Sequence, residues 1–216
     1  MPLGRPSRMA VAISSISAAP GAAPARAAEG GFSAGRFTCL QYTNGLGSSA
    51  AGRAQSALAR IWMHGYLIGY YKKQGKLTHD AEPRTVDRFE NALLQTCREF
   101  YQDSIFTVSQ QALVKTERAL PDQATAEFAP VPMTCAQYTA LKGGAAADAT
   151  RAELADLWGF ALVQGSKNVA QPDLEVPAEA KAQIMGAVAR TCVAPARAET
   201  PYMDIVAAVA DAIKLE

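Results

Sequence analysis

The feature that most constrains the fold of this chain is an internal duplication in which each copy carries its own pair of cysteines. The sequence Thr-Cys-x-Gln-Tyr-Thr at residues 38–43 returns 96 positions later at residues 134–139. Between residues 37 and 69, 12 of 33 positions match the second copy without a gap, far above chance. Such self-similarity predicts a tandem repeat of one small domain.

The four cysteines of the chain belong two to each copy, Cys39 with Cys97 and Cys135 with Cys192, at separations of 58 and 57 residues. Four cysteines allow three pairings. The repeat favours Cys39–Cys97 and Cys135–Cys192, because each copy is then self-contained. A structural zinc site is the alternative, but zinc sites typically use closely spaced pairs such as C-x-x-C, which this chain lacks. We therefore expect two disulfides and neither metal nor cofactor.

The spacing of apolar residues predicts an all-α fold of two tandem small helical domains, about four helices each, with one internal disulfide per domain. In the first copy we expect a short helical turn at 38–42, a glycine-rich loop at 44–48, and helices over 50–73, from Pro83 to about Cys97, and from Asp103 or Ser104 to about Leu120. In the second copy we expect a turn at 134–141 and helices over 147–165, 177–192 and 201–214.

The N-terminal residues predict export. Arg5 and Arg8 precede a short apolar run, and Ala25-Arg26-Ala27 offers a small-x-small cleavage site, so residues 1–27 are read as a signal peptide, with a disordered tail as the alternative. We assign residues 28–126 to the first repeat and 127–216 to the second. Paired cysteines are typical of oxidising compartments, which are the periplasm and the outside of the cell, so they agree with export. No later stretch has the length of a membrane-spanning apolar segment.

Charge is distributed unevenly between the copies. The whole chain has a net charge of +1, which argues against a nucleic-acid-binding protein. Residues 37–120 carry 10 Lys+Arg and 7 Asp+Glu, whereas residues 121–216 carry 7 and 12. Opposite charge suits the two copies to pack against each other as a pseudo-dimer. Drift after the duplication is the alternative explanation.

The sequence offers little that resembles an active site. The two histidines, His64 and His79, have no partners in a recognisable catalytic pattern. The glycine-rich stretch at 45–52 precedes a helix but follows no strand and lacks the lysine of a phosphate-binding loop. We therefore expect a protein that is not an enzyme and whose partners are other proteins.

Aromatic residues are concentrated on one predicted helix, which carries Trp62, Tyr66, Tyr70 and Tyr71; Trp158 is the counterpart of Trp62 in the second copy. One interpretation is a core-facing stripe, in which the intervening glycines allow close helix packing. The other is a recognition surface, because Trp and Tyr dominate protein-binding patches. These five residues are the candidate partner contacts.

The motifs together resemble the HdeA/HdeB family. The resemblance rests on a Thr-Cys-x-x-Tyr opening, a helix with Trp-x-x-Gly-Tyr and a second cysteine leading into a last helix, carried here by Thr38, Cys39, Tyr42, Trp62, Gly65, Tyr66 and Cys97 and, in the second copy, by Thr134, Cys135, Tyr138, Trp158 and Cys192. Members of that family are small, exported, all-helical acid-stress chaperones that pair as homodimers. Here the cysteine separations are longer, and the second copy lacks the Gly-Tyr pair.

The resemblance implies a periplasmic chaperone that holds unfolding proteins at low pH through exposed apolar surface. The alternative is a non-catalytic periplasmic interaction module, such as an inhibitor, immunity or scaffold protein.

Overall fold

The computed structural model describes residues 32–47, 49–76, 83–119 and 133–214, and its regular structure is helical. The first repeat forms α1 (Cys39–Gly47), α2 (Ala50–Lys73), α3 (Pro83–Glu99) and α4 (Ile105–Ala119). The second forms α5 (Cys135–Gly143), α6 (Ala146–Asn168), α7 (Ala180–Cys192) and α8 (Tyr202–Ala212), with a 3-10 turn at Pro195–Arg197. The all-α prediction is confirmed. The predicted signal peptide and the boundary at 126/127 lie outside the described residues.

The segment repeated most closely in sequence begins α1 and α5, where it forms the same helix cap. The hydroxyl of Thr38 accepts a hydrogen bond from the N–H of Gln41, whose side-chain oxygen accepts one from the N–H of Thr38 at 2.8 Å. Thr134 and Gln137 repeat this arrangement. Each cap satisfies backbone donors that the first turn of a helix leaves without partners. The repeated Thr-x-x-Gln spacing therefore has a local structural cause.

α1 is longer than expected, and the loop predicted at 44–48 is wrong, because the helix continues through Gly47. Gly45 is buried against α2, where a Cβ would overlap the hydroxyl oxygen of Ser56. That hydroxyl donates to the carbonyl oxygen of Tyr42 at 3.0 Å. The glycine thus permits two helices to approach closely and does not end a helix. In the second repeat, α5 likewise continues to Gly143.

The other helices follow the predicted order, with small shifts at their ends. α2 has the predicted bounds and α3 begins at Pro83, while α4 starts after Ser104, whose hydroxyl accepts from the N–H of Thr107. α6 passes Gly165 and ends at Asn168, and α7 begins three residues after Pro177. The shift in α7 arises because Pro177 belongs to a preceding turn, in which its carbonyl oxygen accepts from the N–H of Ala180 at 2.9 Å.

The disulfides are Cys39–Cys97 and Cys135–Cys192, as the repeat predicts. Each joins the first turn of the short helix to the end of the third helix of the same repeat. The backbone hydrogen bonds beside the two disulfides are equivalent as well. The N–H of Cys39 donates to the carbonyl oxygen of Asp103, and the N–H of Cys135 donates to that of Thr200. The two copies therefore have the same covalent and hydrogen-bonded frame, although the second carries a slightly longer connection before its last helix.

The two repeats share one core. The described residues from 32 to 214 form a single compact unit, whose centre is the pair α2 and α6, one helix from each repeat. The remaining helices surround this pair. The predicted packing of the copies against each other as a pseudo-dimer is therefore what the chain adopts.

Candidate functional site: the interface between the repeats

The interface between the repeats is built on glycines that bring two helix backbones together. A Cβ at Gly65 would overlap the carbonyl oxygen of Trp158, and one at Gly69 would overlap that of Leu162. From the first contact to the second, the contacting residue moves four positions toward the C-terminus in both α2 and α6. The two helices therefore run parallel. Gly165 of α6 meets the carbonyl oxygen of Tyr66 in the same way. Small residues four apart are a general means of close helix approach, and here they relate the two copies by approximate two-fold symmetry.

The aromatic residues singled out in the sequence lie in this core. Trp62, Tyr66 and Tyr71 of α2 and Trp158 of α6 are 1–6% exposed, and Tyr70 is partly buried. The ring of Trp62 stacks on Tyr66 with centroids 5.1 Å apart. The folded chain covers these residues, Tyr70 only in part, so they face its interior at neutral pH. Their contact with a partner stays a prediction. The face that they occupy is covered by the other repeat, which the periodicity of one helix does not specify.

A hydrogen bond joins the repeats inside this interface. The indole N–H of Trp158 donates to Nδ1 of His64 at 3.0 Å. The imidazole is partly buried, and this burial lowers the pKa of His64 because a charged ring would lose hydration. His64 therefore stays neutral in the folded protein at neutral pH. His79 lies outside the described residues.

Two ion pairs cross between the repeats at the rim of the interface. Lys72 pairs with Asp204 at 2.8 Å, and Lys73 pairs with Asp211 at 2.7 Å. Both lysines end α2 and both aspartates belong to α8, so the basic partner comes from the first repeat and the acidic partner from the second. The opposite charge of the copies is thus used directly at their junction. The pairs are partly exposed, and each stabilises the interface by about 0.2–1 kcal/mol.

Each repeat also contains a buried tyrosine that donates to a carboxylate. Tyr42 donates to Glu90 at 3.1 Å, and Arg60 pairs with the same carboxylate. Burial, strengthened by Glu90, raises the pKa of Tyr42. In the second repeat Tyr138 donates to Asp156 at 2.6 Å, and Lys142 provides the cation. Burial and the hydrogen bond to Asp156 raise the pKa of Tyr138. Both repeats therefore contain a tyrosine that donates to a carboxylate paired with a cation, although the carboxylate and the cation do not occupy equivalent positions in the two repeats.

The second repeat contains a buried amide network that the sequence analysis did not identify. Gln164 donates to the carbonyl oxygen of Leu174 at 2.6 Å and accepts from the N–H of Val176 at 2.6 Å. Asn168, one turn later, accepts from Gln164, and its amide nitrogen lies within hydrogen-bond distance of three carbonyl oxygens of the following loop, which share its two hydrogens. A signal was present, since Gln164 occupies the apolar position held by Ile68 in the first copy. This network fixes residues 169–176 against α6.

We expect Gln164→Leu to lower the free energy of unfolding by about 2 kcal/mol, because the buried N–H of Val176 loses its partner and the carbonyl oxygen of Leu174 keeps only the hydrogen bond from Asn168. Hydrogen exchange of residues 169–176 should accelerate more than that of α7. Urea unfolding and exchange measurements check this. Gln183→Leu, which replaces an exposed glutamine of α7, is the control. Equal losses for the two variants would contradict the role of the network.

Cavities in the part of the chain described by the structure are small. One of about 30 Å³ lies between the repeats beside Trp62 and Gln164, and one of about 160 Å³ lies between α7 and the residues after α8. Among these residues no three His, Cys, Asp or Glu side chains converge as metal ligands. Nor does any described helix combine the length and apolarity needed to cross a bilayer. The distinctive arrangement is the interface itself.

Comparison of the chain with protein-family models, with curated proteins and with solved structures gives no match, so the function is argued from this interface.

Proposed function

We propose that this protein is a periplasmic acid-stress chaperone, whose surface for unfolding proteins is the face that the two repeats cover at neutral pH. The observation that carries the proposal is that α2, whose aromatic and aliphatic side chains are buried, packs closely on α6 of the other repeat. Opening this interface exposes apolar surface without requiring either repeat to unfold. Exposed apolar surface is what an unfolding protein binds, because burying it removes it from water.

Acid weakens the contacts that hold the repeats together. Near pH 2 aspartate and glutamate side chains are protonated, so the pairs Lys72–Asp204 and Lys73–Asp211 lose their attraction. After cleavage at residue 27, the side-chain charge approaches +20, from 18 Lys+Arg and two histidines. Self-repulsion then opposes the compact state.

The disulfides keep the opened protein from becoming a random chain. Each joins the first turn of the short helix to the end of the third helix, and all four sulfurs are buried. An acid-loosened repeat therefore keeps its helices close together while its apolar face is uncovered, as in compact acid states. The same disulfides and the sequence of residues 1–27 support export to the periplasm, and the resemblance to the HdeA/HdeB family supports the same assignment.

A second candidate, a non-catalytic interaction module with a fixed surface, is favoured by one observation. Leu40, Phe100 and Tyr101 are each about half exposed at the disulfide end of the first repeat. The N–H of Leu40 donates to the carbonyl oxygen of Tyr101, as that of Ala136 does to Ala198 in the second repeat. The second repeat thus has two alanines where the first has large apolar side chains. A folded partner on this patch would be lost, not gained, when acid loosens the protein.

We expect the oxidised protein to suppress the aggregation of an acid-sensitive client at pH 2–3 but not at pH 7. Light scattering of the client, with and without the protein, measures this. The variant Leu40→Ala/Tyr101→Ala serves as control, because it removes two of the three side chains of the exposed patch and leaves the interface intact; it should hold clients as well as the unaltered protein. Absence of suppression at every pH, or loss of suppression in this variant alone, would contradict the proposal and favour the interaction module.

A further inference from the structure

We propose that protonation of His64 opens the interface between the repeats in mild acid, before the carboxylates of the protein become protonated. The inference deepens the proposed function by naming what starts the opening, and it rests on the same interface being the surface that opens. It is carried by the hydrogen bond from the indole N–H of Trp158 to Nδ1 of His64, which crosses from one repeat to the other.

The direction of this hydrogen bond requires a neutral imidazole. An indole nitrogen can only donate, so Nδ1 of His64 must carry a lone pair and no proton. An imidazolium carries a proton on both ring nitrogens. Protonation would place an N–H of the imidazolium against the N–H of the indole across the interface, where the imidazole is partly buried and its ring centroid lies 6.4 Å from that of Trp158. Moving α2 and α6 apart removes this contact and lets both groups reach water.

The charged groups around α2 are engaged with one another. Arg60 pairs with Glu90 of α3, Lys115 of α4 pairs with Glu99, Asp156 of α6 pairs with Lys142, and Asp204 and Asp211 of α8 pair with Lys72 and Lys73. None of these groups shifts the pKa of His64, which is lowered by burial. No neighbouring carboxylate among the described residues therefore favours the imidazolium in the closed state.

The sign of the pH effect follows from this lowering. An exposed histidine has a pKa of about 6.5, whereas that of His64 in the closed state lies below its ordinary value. The stability contributed by the neutral imidazole is complete above about pH 6.5 and is lost as the pH falls through the pKa of the closed state. Between these two values the opening equilibrium increases by about tenfold per pH unit. Ordinary carboxylates, with pKa values of about 4, respond later.

The second repeat offers no equivalent group. Phe160 occupies the position of His64, and Trp62 occupies that of Trp158. The phenylalanine cannot take up a proton, so the response resides in one side chain of one repeat. Gln is the replacement that best separates charge from hydrogen bonding at position 64, because its side-chain oxygen can accept from the indole and never becomes cationic.

The test follows tryptophan fluorescence and binding of an apolar dye from pH 7.5 to pH 2 in the oxidised protein and in His64→Gln. We expect the unaltered protein to show a transition between about pH 6.5 and 4 and a second one below pH 4. His64→Gln should lose the first and keep the second, and His79→Gln should keep both. Absence of the first transition in the unaltered protein, or its persistence in His64→Gln, would overturn the inference.

A direct titration covers the case in which His64→Gln does not fold. The imidazole signals are followed by NMR in the unaltered protein and assigned with His79→Gln. A His64 pKa at or above 6.5 would overturn the inference, whereas a lower one that coincides with new signals from Trp158 supports it. These measurements contain no client. Failure of client holding at pH 2–3 with the early transition present would therefore reject the proposed function and leave the role of His64 standing.

Discussion

Gly165→Ala is expected to destabilise the interface between the repeats by about 1–3 kcal/mol at neutral pH, although it adds only one methyl group to a buried helix. The added Cβ would overlap the carbonyl oxygen of Tyr66 and lie 3.0 Å from the backbone nitrogen of Tyr70. Backbone atoms in a helix cannot turn away as a side chain does, so α2 and α6 must separate. Alanine is otherwise the better helix former, so a loss of stability in this variant would be caused by the close approach of α2 and α6.

The measurement is urea unfolding followed by near-UV circular dichroism. Gly143→Ala is the matched control, because Gly143 ends α5 and nothing lies within 4 Å of the position of its Cβ. Gly69→Ala should behave like Gly165→Ala, since the symmetric contact is with the carbonyl oxygen of Leu162. If the interface is the client surface, both destabilised variants should begin to suppress aggregation at a higher pH than Gly143→Ala does. Equal stability of Gly165→Ala and Gly143→Ala would contradict the packing described above.

Removal of one disulfide is expected to have the largest effect of all, about 4 kcal/mol for each. The crosslinks close loops with sequence separations of 58 and 57 residues, and the chain-entropy relation assigns nearly equal stabilisation to both. Globular domains typically have a total stability of about 5–15 kcal/mol, so the loss is a large share of the whole. Each repeat is small and cannot replace the crosslink with a larger core.

Thermal unfolding of Cys39→Ala/Cys97→Ala and Cys135→Ala/Cys192→Ala, each compared with the oxidised protein, checks this prediction. The fully reduced protein should lose client holding at pH 2–3, because acid then unfolds the repeats completely instead of separating them. Restoring the disulfides by reoxidation should restore holding. A reduced protein that keeps its unfolding temperature would show that helix packing alone defines the fold.

The duplication allows much of this fold to be predicted from the sequence. A residue that is repeated 96 positions later occupies the same place in the structure of each repeat. The cysteine pairing followed from the duplication, and the bounds of α2 followed from the spacing of its apolar residues. The role of Gly45 did not, since a glycine at a turn and a glycine at a close helix contact look alike in a sequence. Nor did the partner of the aromatic face: the spacing on α2 identifies a buried stripe, but only the tertiary structure shows that α6 covers it.

Buried polar side chains that hydrogen-bond in the interior are the part of the structure that the sequence predicts least well. Gln164 interrupts an apolar stripe, and its partners are backbone groups of a loop ten or more residues away, which no side-chain pattern records. His64 lacks a catalytic neighbour in the sequence, and its partner Trp158 is 94 residues distant. In both cases the difference between the copies is what marks the polar residue in the sequence. Gln164 corresponds to Ile68 in the first copy, and His64 corresponds to Phe160 in the second.

The parallel pairing of α2 with α6 has a consequence for the order of the closing reaction. Both faces belong to one chain, joined through residues 120–132, so closing is a first-order event. Two separate subunits would meet in a second-order reaction, and dilution would open them. A covalent connection instead fixes the effective concentration of each face at the other, commonly on the order of millimolar. The closed fraction of this protein is therefore not set by how much of it is present.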